Sequence, residues 1–145
     1  MSKKKIVLIS AIVLVGAAVL TGYMMWNKPH KDVKDSDGLQ TAAAELYNLY
    51  ISDSVKARSL YSDKIVQVTG EVAKVSANQL NQQVVLIKTT VAGAYINCTM
   101  EETDAAAKEG STITIKGICS GYISGDADMG LPGDVFIVRG YSFTK

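Results

Sequence analysis

Ile65-Val66-Gln67-Val68-Thr69-Gly70-Glu71-Val72 alternates strictly, with Val66, Val68, Gly70 and Val72 on one face and Gln67, Thr69 and Glu71 on the other. A period of two with β-branched residues along one side describes a half-buried strand. The glycine on the apolar face is informative too, because a missing Cβ marks a place where a strand coils sharply or another element comes close. Toward the C-terminus, Gln83 to Thr90 (QVVLIKTT), Ala94 to Met100 (AYINCTM), Ser111 to Cys119 (STITIKGIC) and Asp134 to Phe143 (DVFIVRGYSF) supply four more strands, with Gly117 inside the third of these. Between Met100 and Ser111 the Ala-rich stretch Glu101 to Glu109 opens on acidic residues, which suit a helix N-terminus and predict a short helix.

Three strands, a helix and two strands is the order of the five-stranded OB barrel, and closure removes the free edges that a meander would carry. An open α+β sheet of the same elements is the alternative, and periodicity does not separate the two. On the N-terminal side, Asp37 followed by Gln40 has the form of a capping box, and Leu39, Ala42, Ala43, Leu46 and Tyr50 recur at helical spacing. A second helix is expected to start near Ser52 or Asp53, with Ala57 and Tyr61 on one face. The expected fold class is therefore mainly β, an OB barrel over residues 39–145 with a helical extension at 39–62.

Further back, residues 27–38 (NKPHKDVKDSDG) are polar and lack apolar periodicity, which predicts a tether. His30, the chain's one histidine, falls in it, without partners for metal or acid-base chemistry. Ile6 to Trp26 runs 21 residues without a charge behind Lys3, Lys4 and Lys5. A helix of that length reaches about 30 Å, the thickness of a hydrocarbon core. The expected organisation is a basic tail at 1–5, a transmembrane signal anchor at 6–26, the tether, and a folded domain outside the cytoplasm, periplasmic or on the outer face. A cleaved secretory signal ending near Gly16-Ala17-Ala18 is the competing reading, and it exports the same domain. Lys28, Lys31 and Lys34 nearly match the three N-terminal lysines, so orientation rests on the cluster that abuts the apolar run.

The chain carries 15 Lys and Arg against 14 Asp and Glu. Six of the lysines precede residue 38, leaving 9 basic against 11 acidic residues beyond it, a formal charge of 9 − 11 = −2. Nucleic-acid binders draw most of their affinity from phosphate neutralisation, and this balance speaks against that class.

From residue 42 onward the chain resembles tRNA_anti-like proteins, a bacterial family of exported or membrane-anchored OB-fold proteins. The resemblance is carried by Ala42 to Leu46 (AAAEL) with Tyr50, by Ala57 and Tyr61, by Val66 to Val72 (VQVTGEV), and by Cys98 with Lys116 to Tyr122 (KGICSGY). It implies a fold and an address, and fold does not fix function. A further cysteine common in the family's last strand is missing here, where the chain reads Val138-Arg139-Gly140-Tyr141.

Cys98 and Cys119 both take the inward phase of their strands, and in an oxidising compartment they are expected to form a disulfide, with buried free thiols as the alternative. A metal site is not expected, with no CxxC pair and no histidine in the domain, and no cofactor is expected either. Asp126 and Asp128 resemble the start of a calcium loop, but Gly130 stands where a third oxygen ligand belongs. The sequence holds no GxSxG, no phosphate-binding glycine loop and no histidine to activate the cysteines, so an enzyme is not expected. The expected function is a non-catalytic binding or scaffolding module of the cell envelope, partnered by the membrane and by an envelope protein. Binding of single-stranded nucleic acid through the barrel face is the alternative. Candidate contact residues are Tyr95, Phe136 and Tyr141 as stacking platforms, and Tyr122 with Asp126 and Asp128 in the loop between the last two strands.

Overall fold

A computed structural model of the chain describes residues 2–27 and 32–143. His30 lies outside the described residues. Two compact units appear, Met1–Asp32 and Val33–Lys145. The first holds helix α1 (Lys3–Trp26), of mean hydropathy 2.4 with no residue buried, long and apolar enough to cross a membrane. Its serine and threonine hydroxyls are satisfied within the helix, Ser10 donating to Val7 O at 2.9 Å and Thr21 to Ala17 O at 2.8 Å, which makes them compatible with a medium that offers no hydrogen bonds.

The second unit follows the order β1 (Leu39–Ala42), α2 (Ala43–Ser52), α3 (Ser54–Tyr61), β2 (Ile65–Ala77), β3 (Gln83–Lys88), β4 (Tyr95–Met100), β5 (Thr112–Ile123) and β6 (Asp134–Phe143). The strands run β1-β2-β3-β4-β6-β5, and β5 returns to β2 over seven residue pairs from Ile65↔Ile118 to Glu71↔Thr112. That return closes β2 to β6 into the OB barrel and excludes the open sheet. The β4–β6 pairing is parallel and the other barrel pairings are antiparallel.

Alternation fills the barrel. Val66, Val68, Val85, Ile87, Ile96, Ile115 and Ile137 are wholly buried, and α2 closes one end with Leu46, Tyr47 and Tyr50. Two strand glycines are required by contact. A Cβ on Gly70 would collide with Ile87 and press on Ala43, and one on Gly117 would collide with Ile137 and with Val138 O. Asp53 caps α3 as expected, its carboxylate accepting from Lys56 N at 3.0 Å.

Three sequence expectations are corrected. Leu39 to Ala42 do not open a helix behind an Asp37 cap; they form β1, paired in parallel with Val66 to Thr69, and α2 starts at Ala43. A non-local ladder outweighs the local helical spacing there. Glu101 to Glu109 is a chain of turns, because Gln83 holds Asp104 from both sides, accepting from its N–H at 2.8 Å and donating to its carbonyl at 3.0 Å. Those bonds replace the ones a helix would supply. The folded unit begins at Val33, ahead of the expected boundary at residue 39, since Val33 is completely buried.

Candidate binding face

The side chains that alternate with the core cover the barrel's outside, and strand register groups them into rows. One row runs Gln67, Lys116, Tyr141 across β2, β5 and β6. Residues 33–38 lie over it as a strap. A Cβ on Gly38 would stand 3.4 Å from Gln67 and Ile65. The Lys116 ammonium donates to Lys34 O at 3.2 Å and Ser36 O at 2.9 Å, and the Lys34 ammonium stands 5.7 Å from the Tyr141 ring centroid. Lys34 also reaches Glu102 at 3.8 Å, and Lys116 sits 4.6 Å from the centre of Phe143. A cation that donates to backbone carbonyls on one side and faces a ring on the other is well solvated without water. This half of the outer face is therefore covered by the protein's own chain.

The second row runs Lys74, Leu86, Asn97, Phe136 across β2, β3, β4 and β6, with Lys88 and Tyr95 paired beside it. Leu86, Tyr95, Asn97 and Phe136 are half-buried side chains of an outward surface, and among the described residues none of the strap's hydrogen bonds or ring contacts falls on them. The register shift between Val72 and Lys74 opens a hollow of about 340 Å³ at its end, lined by Ala73, Lys88, Thr89 and Tyr95 among others. Lys88 is engaged by Glu71, and Tyr95 N donates to Asp134 at 2.8 Å.

Of the four candidate aromatic residues, the structure thus brings Tyr95 and Phe136 onto the open half and puts Tyr141 under the strap. Tyr122 turns inward. It lies against Tyr50 with near-parallel rings 6.2 Å apart and meets Tyr47 edge-on at 6.1 Å, while Tyr47 OH donates to Gly133 O at 3.0 Å. Asp126 organises its own turn, accepting from Asp128 N at 3.0 Å and Met129 N at 3.2 Å.

Cys98 and Cys119 are free thiols, in place of the expected disulfide. Both face the core, but Ile137 pairs with Cys98 on one side and Cys119 on the other. Two strand spacings, about 9 Å, separate their backbones, beyond what a disulfide bridges. Burial pushes both thiols up, foremost by desolvation, and Cys98 further by the neighbouring Cys119. Burial likewise raises Tyr47, and Tyr50 is pushed up to about 12, by desolvation and then by its contact with Cys119. These groups stay neutral, and none is an activated nucleophile. Among the described residues no three His, Cys, Asp or Glu side chains converge on a point.

The strap is the feature that sequence reasoning missed. Its signal is Val33, a single apolar residue inside a polar run, and nothing local says where that residue goes.

Comparison with protein families matches the tRNA_anti-like family model over residues 1–129, α1 included, and the chain belongs to that family. Comparison with curated protein sequences gives no match.

Proposed function

We propose, from the premise that the chain is a tRNA_anti-like protein, that it is an envelope protein anchored by α1, with its barrel outside the cytoplasm acting as a non-catalytic binding module through the open half of its outer face. The observation that carries this reading is the division of that face: the Lys116 and Tyr141 row is tied to the strap, while Leu86, Asn97 and Phe136 carry no such tie among the described residues. Apolar side chains grouped around an amide suit an uncharged protein surface. Lys88 pairs with Glu71, which leaves Lys74 at the row's end as its one cation outside an ion pair among the described residues, few for phosphate recognition. The anchor draws support from α1, with three lysines at one end and Tyr23 and Trp26 at the other.

A photoreactive aromatic residue placed at Phe136, and in a second version at Tyr141, tests the reading in cells with the full chain. A discrete adduct from position 136 and none from 141 is expected. Equal adducts from both, or none from 136, would overturn it. Titration with labelled single strands at low salt separates the alternative, since saturable binding there would transfer the face to nucleic acid. A reporter fused to the C-terminus reads the topology directly, and active signal from an export-dependent reporter is expected.

A further inference from the structure

Away from the barrel's open face, α2 and α3 form a groove of about 600 Å³ whose walls include Glu45 and Leu49 from α2 and Lys56, Leu60 and Tyr61 from α3. α3 is thinly packed for its composition. Ala57 is its one buried residue, while Val55 stays 79% and Leu60 41% exposed. Eight residues are too few for a helix to hold by intrinsic propensity, and of these two apolar side chains Leu60 lines the groove.

The two helices repeat one pattern with opposite sign. On α2 a glutamate is followed one turn later by a leucine, Glu45 and Leu49, and on α3 a lysine is followed one turn later by a leucine, Lys56 and Leu60. Residues four apart share a helix face, and all four line the same groove. Among the described residues neither Glu45 nor Lys56 is held in an ion pair.

We propose that this groove docks a second copy of the chain, in a two-fold contact that lays α2 of each copy on α3 of the other. A two-fold contact uses the same patch twice, so a patch that carries its own charge complement is what it requires. Glu45 of one copy then meets Lys56 of the partner subunit, the reciprocal pair forms by symmetry, and the leucines meet between them. Two short helices supply little of the roughly 800 Å² per partner that a stable interface needs, so the contact is weak between free domains and gains from holding both copies in one membrane. That gain rests on the anchoring reading, whereas the docking geometry does not.

Charge exchange tests it in the full chain. Two differently tagged copies are co-expressed, fixed lightly in cells, solubilised in detergent and captured through one tag. Wild-type copies are expected to co-purify. Glu45→Lys paired with itself, and Lys56→Glu paired with itself, each set like charges against each other twice and are expected to lose co-capture about tenfold. Glu45→Lys paired with Lys56→Glu restores both contacts and is expected to return co-capture to the wild-type level, which no interaction within one chain reproduces. Absence of wild-type co-capture would overturn the proposal and leave the groove to a helix of another protein. Equal co-capture by all pairs would overturn it in favour of another contact surface, and loss without restoration would overturn it as well. The intact mass of the captured chain, with or without α1, reports on anchoring separately.

Discussion

The two halves of the barrel's outer face share one interior and differ in what lies on them. Across β2, β5 and β6 the row of Gln67, Lys116 and Tyr141 is overlaid by residues 33–38, with hydrogen bonds to two strap carbonyls and a cation over a ring. Across β3, β4 and β6 the row of Leu86, Asn97 and Phe136 has the same mixture of apolar and polar side chains, and among the described residues no side-chain hydrogen bond or ring contact ties another segment to it. This barrel satisfies part of its outer face with its own chain, and among the described residues it does so on the β2, β5 and β6 side. Substitutions should therefore cost stability on the covered half and binding on the open half.

The largest expected effect is that of Val33→Asp, which sets a carboxylate where a side chain is wholly buried. A loss of about 3 kcal/mol, or release of the strap, is expected from burying an unpaired charge. Urea unfolding together with limited proteolysis at 33–38 measures it, and a strap cut no faster than in wild type would break the comparison. Lys116→Ala comes next, at about 2 kcal/mol, since it removes a cation bonded to Lys34 O and Ser36 O. Urea midpoints suffice to check it.

Tyr50→Phe probes the shared interior and should cost about 1 kcal/mol, through the lost contacts to Ser62 and Cys119. It also has a pH signature. Below the ordinary phenol value of 10.0 the neutral form of Tyr50 is common to folded and unfolded chains, and this residue adds no pH dependence. From there to about 12 the unfolded chain ionises first, so stability falls as pH rises. Thermal melts across that window should slope less steeply in Tyr50→Phe, with the remaining fall due to Tyr47 and the two thiols, all raised in the same direction. The smallest effect on stability, within about 0.5–1 kcal/mol, is expected for Phe136→Ala on the open half, and it should come with about tenfold weaker partner capture. A variant that melts early and still captures its partner would reverse the two halves.

Much of the barrel is legible in the sequence because alternation is a local signal. Val66, Val68 and Val72 declare β2 by themselves, and Gly70 and Gly117 sit where neighbours would collide with a Cβ. What was missed depends on residues far away in the chain. β1 keeps helix-like spacing at Leu39 and Ala42 and is made a strand by Val66 to Thr69. Tyr122 is expected as a contact residue of the loop between the last two strands, but the register shift between Cys119 and Gly121, with Gly121 at φ 112°, turns it onto Tyr50. Cys98 and Cys119 share an inward phase, and phase does not reveal that the strand of Ile137 runs between them. Tyr95 and Phe136 were recognisable as outward aromatics, whereas the strap that removes Tyr141 from the same face rests on a pairing with Lys116 some 80 residues on.

The most direct test of the division is thiol accessibility. Cys98 and Cys119 are both completely buried and serve as an internal clock for unfolding. A cysteine introduced by Val33→Cys should react with a maleimide no faster than these two, while one introduced by Lys74→Cys, in the open row, should react at once. Labelling of the Val33→Cys chain at the rate of the Lys74→Cys chain would show a strap that does not hold, and the account of a half-covered barrel would fail with it.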